Sequence, residues 1–126
     1  MRLNPDCIRA LLMYFEEKTD DSITICSFDE IAETIHFDAK EISYHVNQCN
    51  FHGFLINYKP YNTGDSFMIN DISPSAHAFL ANIRQDTTWN GIKDVAKKVG
   101  SVSLDALVQI SSNVITELIK AQFLLK

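Results

Sequence analysis

Residues that specialised chemistry demands are scarce in this chain. Its four glycines, Gly53, Gly64, Gly91 and Gly100, stand alone among 126 residues, so no loop can wrap a phosphate as a P-loop or dinucleotide turn does. The three cysteines, Cys7, Cys26 and Cys49, are odd in number and widely spaced. That spacing argues against a disulfide framework and fits free thiols in a reducing compartment. No apolar run approaches the roughly 18 residues that a membrane span needs. Pro5 and Asp6 interrupt the N-terminus before a signal-peptide core can form. These absences predict a cytoplasmic protein with no membrane partner.

Positive charge is also thin where it matters. Residues 1–72 hold five Lys or Arg against twelve carboxylates, a net of −7, whereas residues 73–126 hold six against four, a net of +2. Such asymmetry bears on partners, not on fold. The overall composition, 46% hydrophobic and 21% charged, is that of a globular chain, and 126 residues bury enough apolar surface to fold unaided.

The local signals are rich. Asn4-Pro5-Asp6 is a helix start, with a cap, a first-turn proline and an acid. Ile8, Leu11, Leu12 and Phe15 then recur on one face until the helix fades near Lys18. Ile23-Thr24-Ile25 reads as a short strand. Ser27-Phe28-Asp29-Glu30 is a capping box opening a second helix that buries Phe28, Ile31, Ala32 and Ile35. After a turn at His36-Phe37, Asp38 caps a third helix, with Ile42, Val46 and Cys49 inward and Gly53 as its stop. Residues 54–58 read as a strand, 60–65 as a turn and 67–69 as the returning strand. Ser73-Pro74 starts a fourth helix with Phe79, Leu80 and Ile83 on one side. Thr87 or Thr88 opens a fifth, with Trp89, Ile92, Ala96 and Val99 inward and Gly100 as stop.

A sixth helix runs from about Ser103 to the end. Leu104, Leu107, Val108, Ile110, Val114, Ile115, Leu118, Ile119, Phe123, Leu124 and Leu125 cover more than half of its circumference. A single core contact needs only a stripe about 100° wide. The surplus predicts a helix covered on two sides, by its own chain or by a second copy, with Leu107, Val114, Leu118 and Leu125 as candidate dimer contacts. The predicted architecture is mainly α with a β-hairpin wing: a winged helix-turn-helix over 1–72, then three helices over 73–126.

Three stretches carry a family resemblance. They are Leu3-Asn4-Pro5-Asp6-Cys7-Ile8-Arg9, then the run from Ala76 to Asp86 followed by Trp89, and finally Gly100-Ser101-Val102-Ser103-Leu104. In these the chain resembles the YjcQ-like family, uncharacterised proteins from Firmicutes and their prophages. Ala76 stands where that family usually has glycine and Ala78 where an acid is common. The resemblance implies a winged-helix fold and a prophage-type setting, and no established activity.

Candidate chemistry is sparse. His45, Cys49 and His52 share one helical face, as zinc ligands can, but no further ligand pattern supports them and Cys49 falls on the inward side, so core packing is the better reading. No cysteine has a supporting histidine pattern for nucleophilic work, and Asp20-Asp21 reads as a solvated loop. Neither a metal, a cofactor nor an enzymatic activity is expected.

The outward face of helix 38–52 is the informative one. Lys40, Ser43, Tyr44, Asn47 and Gln48 form it, with His45 at its margin and Lys59 on the wing nearby. These side chains suit base reading in type. They do not suit affinity, because duplex binding draws its strength from many Lys and Arg. Glu16, Glu17, Asp20, Asp21, Asp29, Glu30 and Glu33 would repel a phosphate backbone. The expectation is therefore a non-catalytic regulator or adaptor that binds a host or phage protein through helix 38–52, the wing or the acidic face. The alternative is a homodimeric regulator reading duplex DNA with helix 38–52.

Overall fold

The computed structural model describes residues 1–124. The chain is mainly helical with a small antiparallel sheet. Its elements are α1 (Pro5–Lys18), β1 (Thr24–Ser27), α2 (Phe28–Ile35), α3 (Ala39–Phe51), β2 (Leu55–Ile56), β3 (Lys59–Tyr61), β4 (Ser66–Ile69), β5 (Asp71–Ile72), α4 (Pro74–Ile83), α5 (Asp86–Val99) and α6 (Leu104–Leu124).

Caps fix most of the helix starts. The Asn4 side chain accepts from the Asp6 N–H at 3.0 Å, Asp38 from Lys40 and Ser73 from Ala76, both at 3.2 Å. The capping box at Ser27 is only half made. Ser27 Oγ accepts from the Glu30 N–H, but the Glu30 carboxylate turns instead to Lys18 Nζ at 3.2 Å. A cation within reach outbids a neutral backbone N–H for a carboxylate. The α2–α3 turn is made by His36, whose φ of 63° places it in the left-handed region while its N–H closes α2 onto the Ala32 carbonyl.

The sheet departs from expectation in an instructive way. Residues 54–58 do not form one strand. Asn57 takes a φ of 57° and breaks the segment, a conformation that asparagine tolerates better than most side chains. Leu55–Ile56 then pairs with Asp71–Ile72, and Lys59–Tyr61, expected within a turn, pairs with β4. The three-stranded sheet runs β1-β4-β3 with Ile25 opposite Met68 and Lys59 opposite the same residue. β1 begins at Thr24 and ends at Ser27, one residue and two residues later than Ile23 and Ile25. Pro60 sits on edge strand β3, where its missing N–H costs no ladder bond.

One hydrophobic cluster runs from Cys7 on α1 to Leu107 on α6. Its aromatic centre is Phe67 on β4, which meets Phe15 of α1 edge-on at 6.0 Å and also touches Phe28 and Tyr58. The hairpin is thereby anchored to α1 and α2, and the Phe28 N–H adds a bond to the Asp65 carbonyl at 3.2 Å. α5 starts at Asp86, ahead of the expected threonines, and Val99 points to solvent instead of inward. On α6, Leu104, Leu107 and Ser111 are buried, and from Glu117 onward every described residue is exposed. The helix is covered by α4 and α5 along its first half only. Among the described residues no helix is long and apolar enough to cross a membrane.

Candidate interaction face

α3 is held in place from behind. Ile42, Val46 and Cys49 are buried as expected, and so is His45, which does not lie at the margin of the outer face. Its Nε2 accepts the Asn4 N–H at 2.8 Å, so Nδ1 carries the proton and donates to the Glu41 carbonyl at 2.7 Å. Asn4 Nδ2 adds a bond to Glu41 Oε1 at 3.0 Å. The start of α1 is thus tied to α3 by two hydrogen bonds from Asn4, and the bond from His45 Nδ1 to the Glu41 carbonyl within α3 orients the imidazole for the first of them.

The outward side is smaller and more aromatic than its sequence suggests. Lys40 and Asn47 are exposed, whereas Ser43, Tyr44 and Gln48 are half-buried. The Tyr44 ring lies edge-on to the His45 ring at 5.0 Å, which restrains it. Phe51 is 79% exposed, and sequence reading missed it. Its spacing was informative: Phe51 falls four residues after Asn47, seven after Tyr44 and eleven after Lys40, all on one helical face. Lys59 is exposed on the hairpin and adds the same cation the sequence offered.

The acidic residues do not act as one. Glu16 accepts a two-pronged contact from Arg84, with 2.9 Å and 2.5 Å bonds, which holds its carboxyl below the ordinary 4.5. Glu30 is engaged by Lys18. Asp20 turns back onto Ser22, whose hydroxyl and N–H hold its carboxyl below 3.8. Glu17, Asp21, Asp29 and Glu33 remain exposed. The acidic surface is therefore narrower than seven carboxylates imply.

Two of the three stretches that carried the resemblance meet in space, and what they build is a clasp. Arg9 Nε donates to the Ile83 carbonyl at 2.9 Å, and its Nη2 donates to the Arg84 carbonyl at 2.6 Å and to Asp86 Oδ1 at 2.8 Å. The guanidinium also lies 5.6 Å from the Trp89 ring centre. Trp89 Nε1 donates to Asp6 Oδ1 at 2.9 Å, and Lys93 pairs with Asp6 at 3.1 Å. Burial would raise the Asp6 carboxyl, but the bonds from Trp89 and Lys93 and the charges of Lys93 and Arg9 outweigh it and hold it below 3.8. These residues join α1 to the α4–α5 corner, so their role is architectural.

The remaining candidates separate. Cys49 is in the core and the His52 ring rests on Phe54 at 4.6 Å. Among the described residues no three His, Cys, Asp or Glu are placed to hold a metal. All three thiols are buried, and burial pushes Cys7 and Cys49 up to about 12 and Cys26 to about 11. Of the expected dimer contacts, Leu107 is buried in its own chain's core and is unavailable, Val114 is half-buried, Leu118 is exposed and Leu125 lies outside the described residues.

The fold and this face define a small helical protein with a β-hairpin. It belongs to the family described as a hypothetical protein, DUF2513, whose pattern matches residues 2–103. A relative from Haemophilus influenzae, described as an uncharacterized protein, is 28% identical over 122 residues, covering 94% of this chain and 99% of its own. No solved structure matches the chain.

Proposed function

We propose that this protein is a non-catalytic regulator or adaptor of the winged-helix type, in the prophage-type setting the YjcQ-like resemblance implies, and that it binds a protein partner through the outer face of α3. One observation carries the reading: Phe51, 79% exposed, shares that face with Tyr44, Asn47 and Lys40. Exposed aromatics flanked by neutral polar groups are the composition of protein interfaces, where Tyr, Phe and Trp supply the anchors. The same face offers one cation, and the segment that carries it has a net charge of −7. The exposed Glu17, Asp29 and Glu33 on α1 and α2 add to the negative field of the 1–72 segment, which favours a partner with a basic surface beside its apolar pocket.

A second reading keeps the DNA regulator. In its favour, α2, the His36 turn and α3 stand beside a hairpin, and Asn47 and Gln48 are types that pair with adenine. Against it stands the counterion term, which two lysines satisfy poorly. The test is a set of cell extracts probed with tagged protein. A specific co-purifying protein should be lost on Phe51→Ser and on Tyr44→Ala, while the unfolding midpoint of Phe51→Ser stays within about 2 °C of the parent, since that side chain is exposed. A bound protein indifferent to both substitutions would sink the proposal.

A further inference from the structure

From Glu117 onward every described residue of α6 is exposed. Leu118 lies seven residues beyond the buried Ser111 and eleven beyond the buried Leu107, on the same side of the helix. It is exposed because α4 and α5 flank only the first half. Val95 of α5 and Ile110, Val114 and Leu118 of α6, with Asn113 and Glu117 at the rim, line a groove of about 390 Å³. Val99, one turn beyond Val95, and Leu124, seven residues beyond Glu117 on the same side of α6, extend the apolar surface around it.

We propose that a second copy of this chain covers this surface, groove to groove, about a two-fold axis. Area supports it first. Val95, Val99, Leu118 and Leu124 are between 39% and 87% exposed, and Asn113 and Glu117 at the rim are exposed as well. Together they offer on the order of 500 Å² per copy, so two copies bury about 1,000 Å², the threshold for a specific interface. Charge supports a second copy over a foreign protein. Residues 104–126 carry Asp105 and Glu117 against Lys120 and Lys126, a net of zero, so the helix has no electrostatic handle with which to select a partner. Two bodies of −5 each meet with least repulsion at a neutral surface far in sequence from the acidic 1–72 segment. An isologous contact of this kind closes at two copies instead of growing into a filament. The pairing is independent of what α3 binds, and leaves that question to a separate experiment.

Light scattering on the size-fractionated full chain tests it. The expected mass is twice 14.3 kDa, falling toward the single-chain value on dilution. Leu118→Glu and Val95→Glu should each weaken association at least about a hundredfold, because a two-fold interface carries every change twice. Lys120→Ala should leave it unaltered. Backbone hydrogen exchange of the unsubstituted chain gives a readout that no folding defect can imitate: amides of 113–124 should gain protection as concentration rises. A single-chain mass at every concentration, a pair that survives both glutamates, or exchange in 113–124 that ignores concentration would each overturn the proposal.

Discussion

Replacing Arg9 with alanine should unlatch α1 from the α4–α5 corner. The guanidinium makes three hydrogen bonds, at 2.9, 2.6 and 2.8 Å, and its side chain is only 17% exposed. The three are not equal. Asp86 is 88% exposed, so its ion pair contributes at most about 1 kcal/mol. The bond to the part-buried Ile83 carbonyl is charge-assisted and worth about 1.5–3 kcal/mol. The approach to the Trp89 ring adds roughly 0.5–1 kcal/mol, and the stem's packing adds to that. A loss of about 2–4 kcal/mol follows, or a drop in unfolding midpoint on the order of 10 °C for a chain of this size. Urea unfolding followed by circular dichroism reads it, with the midpoint falling and the slope unchanged. Arg9→Lys should recover less than half, since an ammonium cannot reproduce the planar fork. A loss under about 1 kcal/mol, or full recovery by lysine, would refute the clasp.

Two further outcomes follow from the buried groups. None of Cys7, Cys26 or Cys49 should react with a thiol reagent at pH 8 in the native protein, and all three should react in denaturant; burial holds them at about 11 to 12, and reaction requires opening. The Glu16–Arg84 contact should show in acid. Glu16 is held below 4.5 in the folded chain by Arg84, so its contribution is complete above pH 4.5 and fades as pH falls through the lower native value. The stability gap between the parent and Arg84→Met should therefore be present at pH 7 and close in strong acid. A gap that persists undiminished would contradict the assignment.

How far the sequence spoke depends on the range of the interaction. Helix starts at Asn4, Asp38 and Ser73 were legible because a cap and its N–H partner lie within three residues. His45 was misplaced because its decisive partner is Asn4, 41 residues away; periodicity alone set it at the edge of the outer face. The Leu55–Tyr61 segment misled because one left-handed Asn57 splits it between two sheets. Glu30 was assigned to Ser27 because Lys18, its actual partner, sits on another helix. The outer face of α3 was readable by spacing, and Phe51 falls on it by the same spacing. The clasp was visible as two motifs, but only the fold brings them together.

On the proposed reading, α3 presents too little positive potential for a double helix and an anchor for a protein instead. Fluorescence anisotropy with mixed-sequence duplexes at low salt tests it most directly. No saturable binding tighter than about 10⁻⁴ M, the loose end of non-specific affinity, is expected. Micromolar binding that weakens steeply with added salt, and more weakly still on Lys40→Ala or Lys59→Ala, would contradict it.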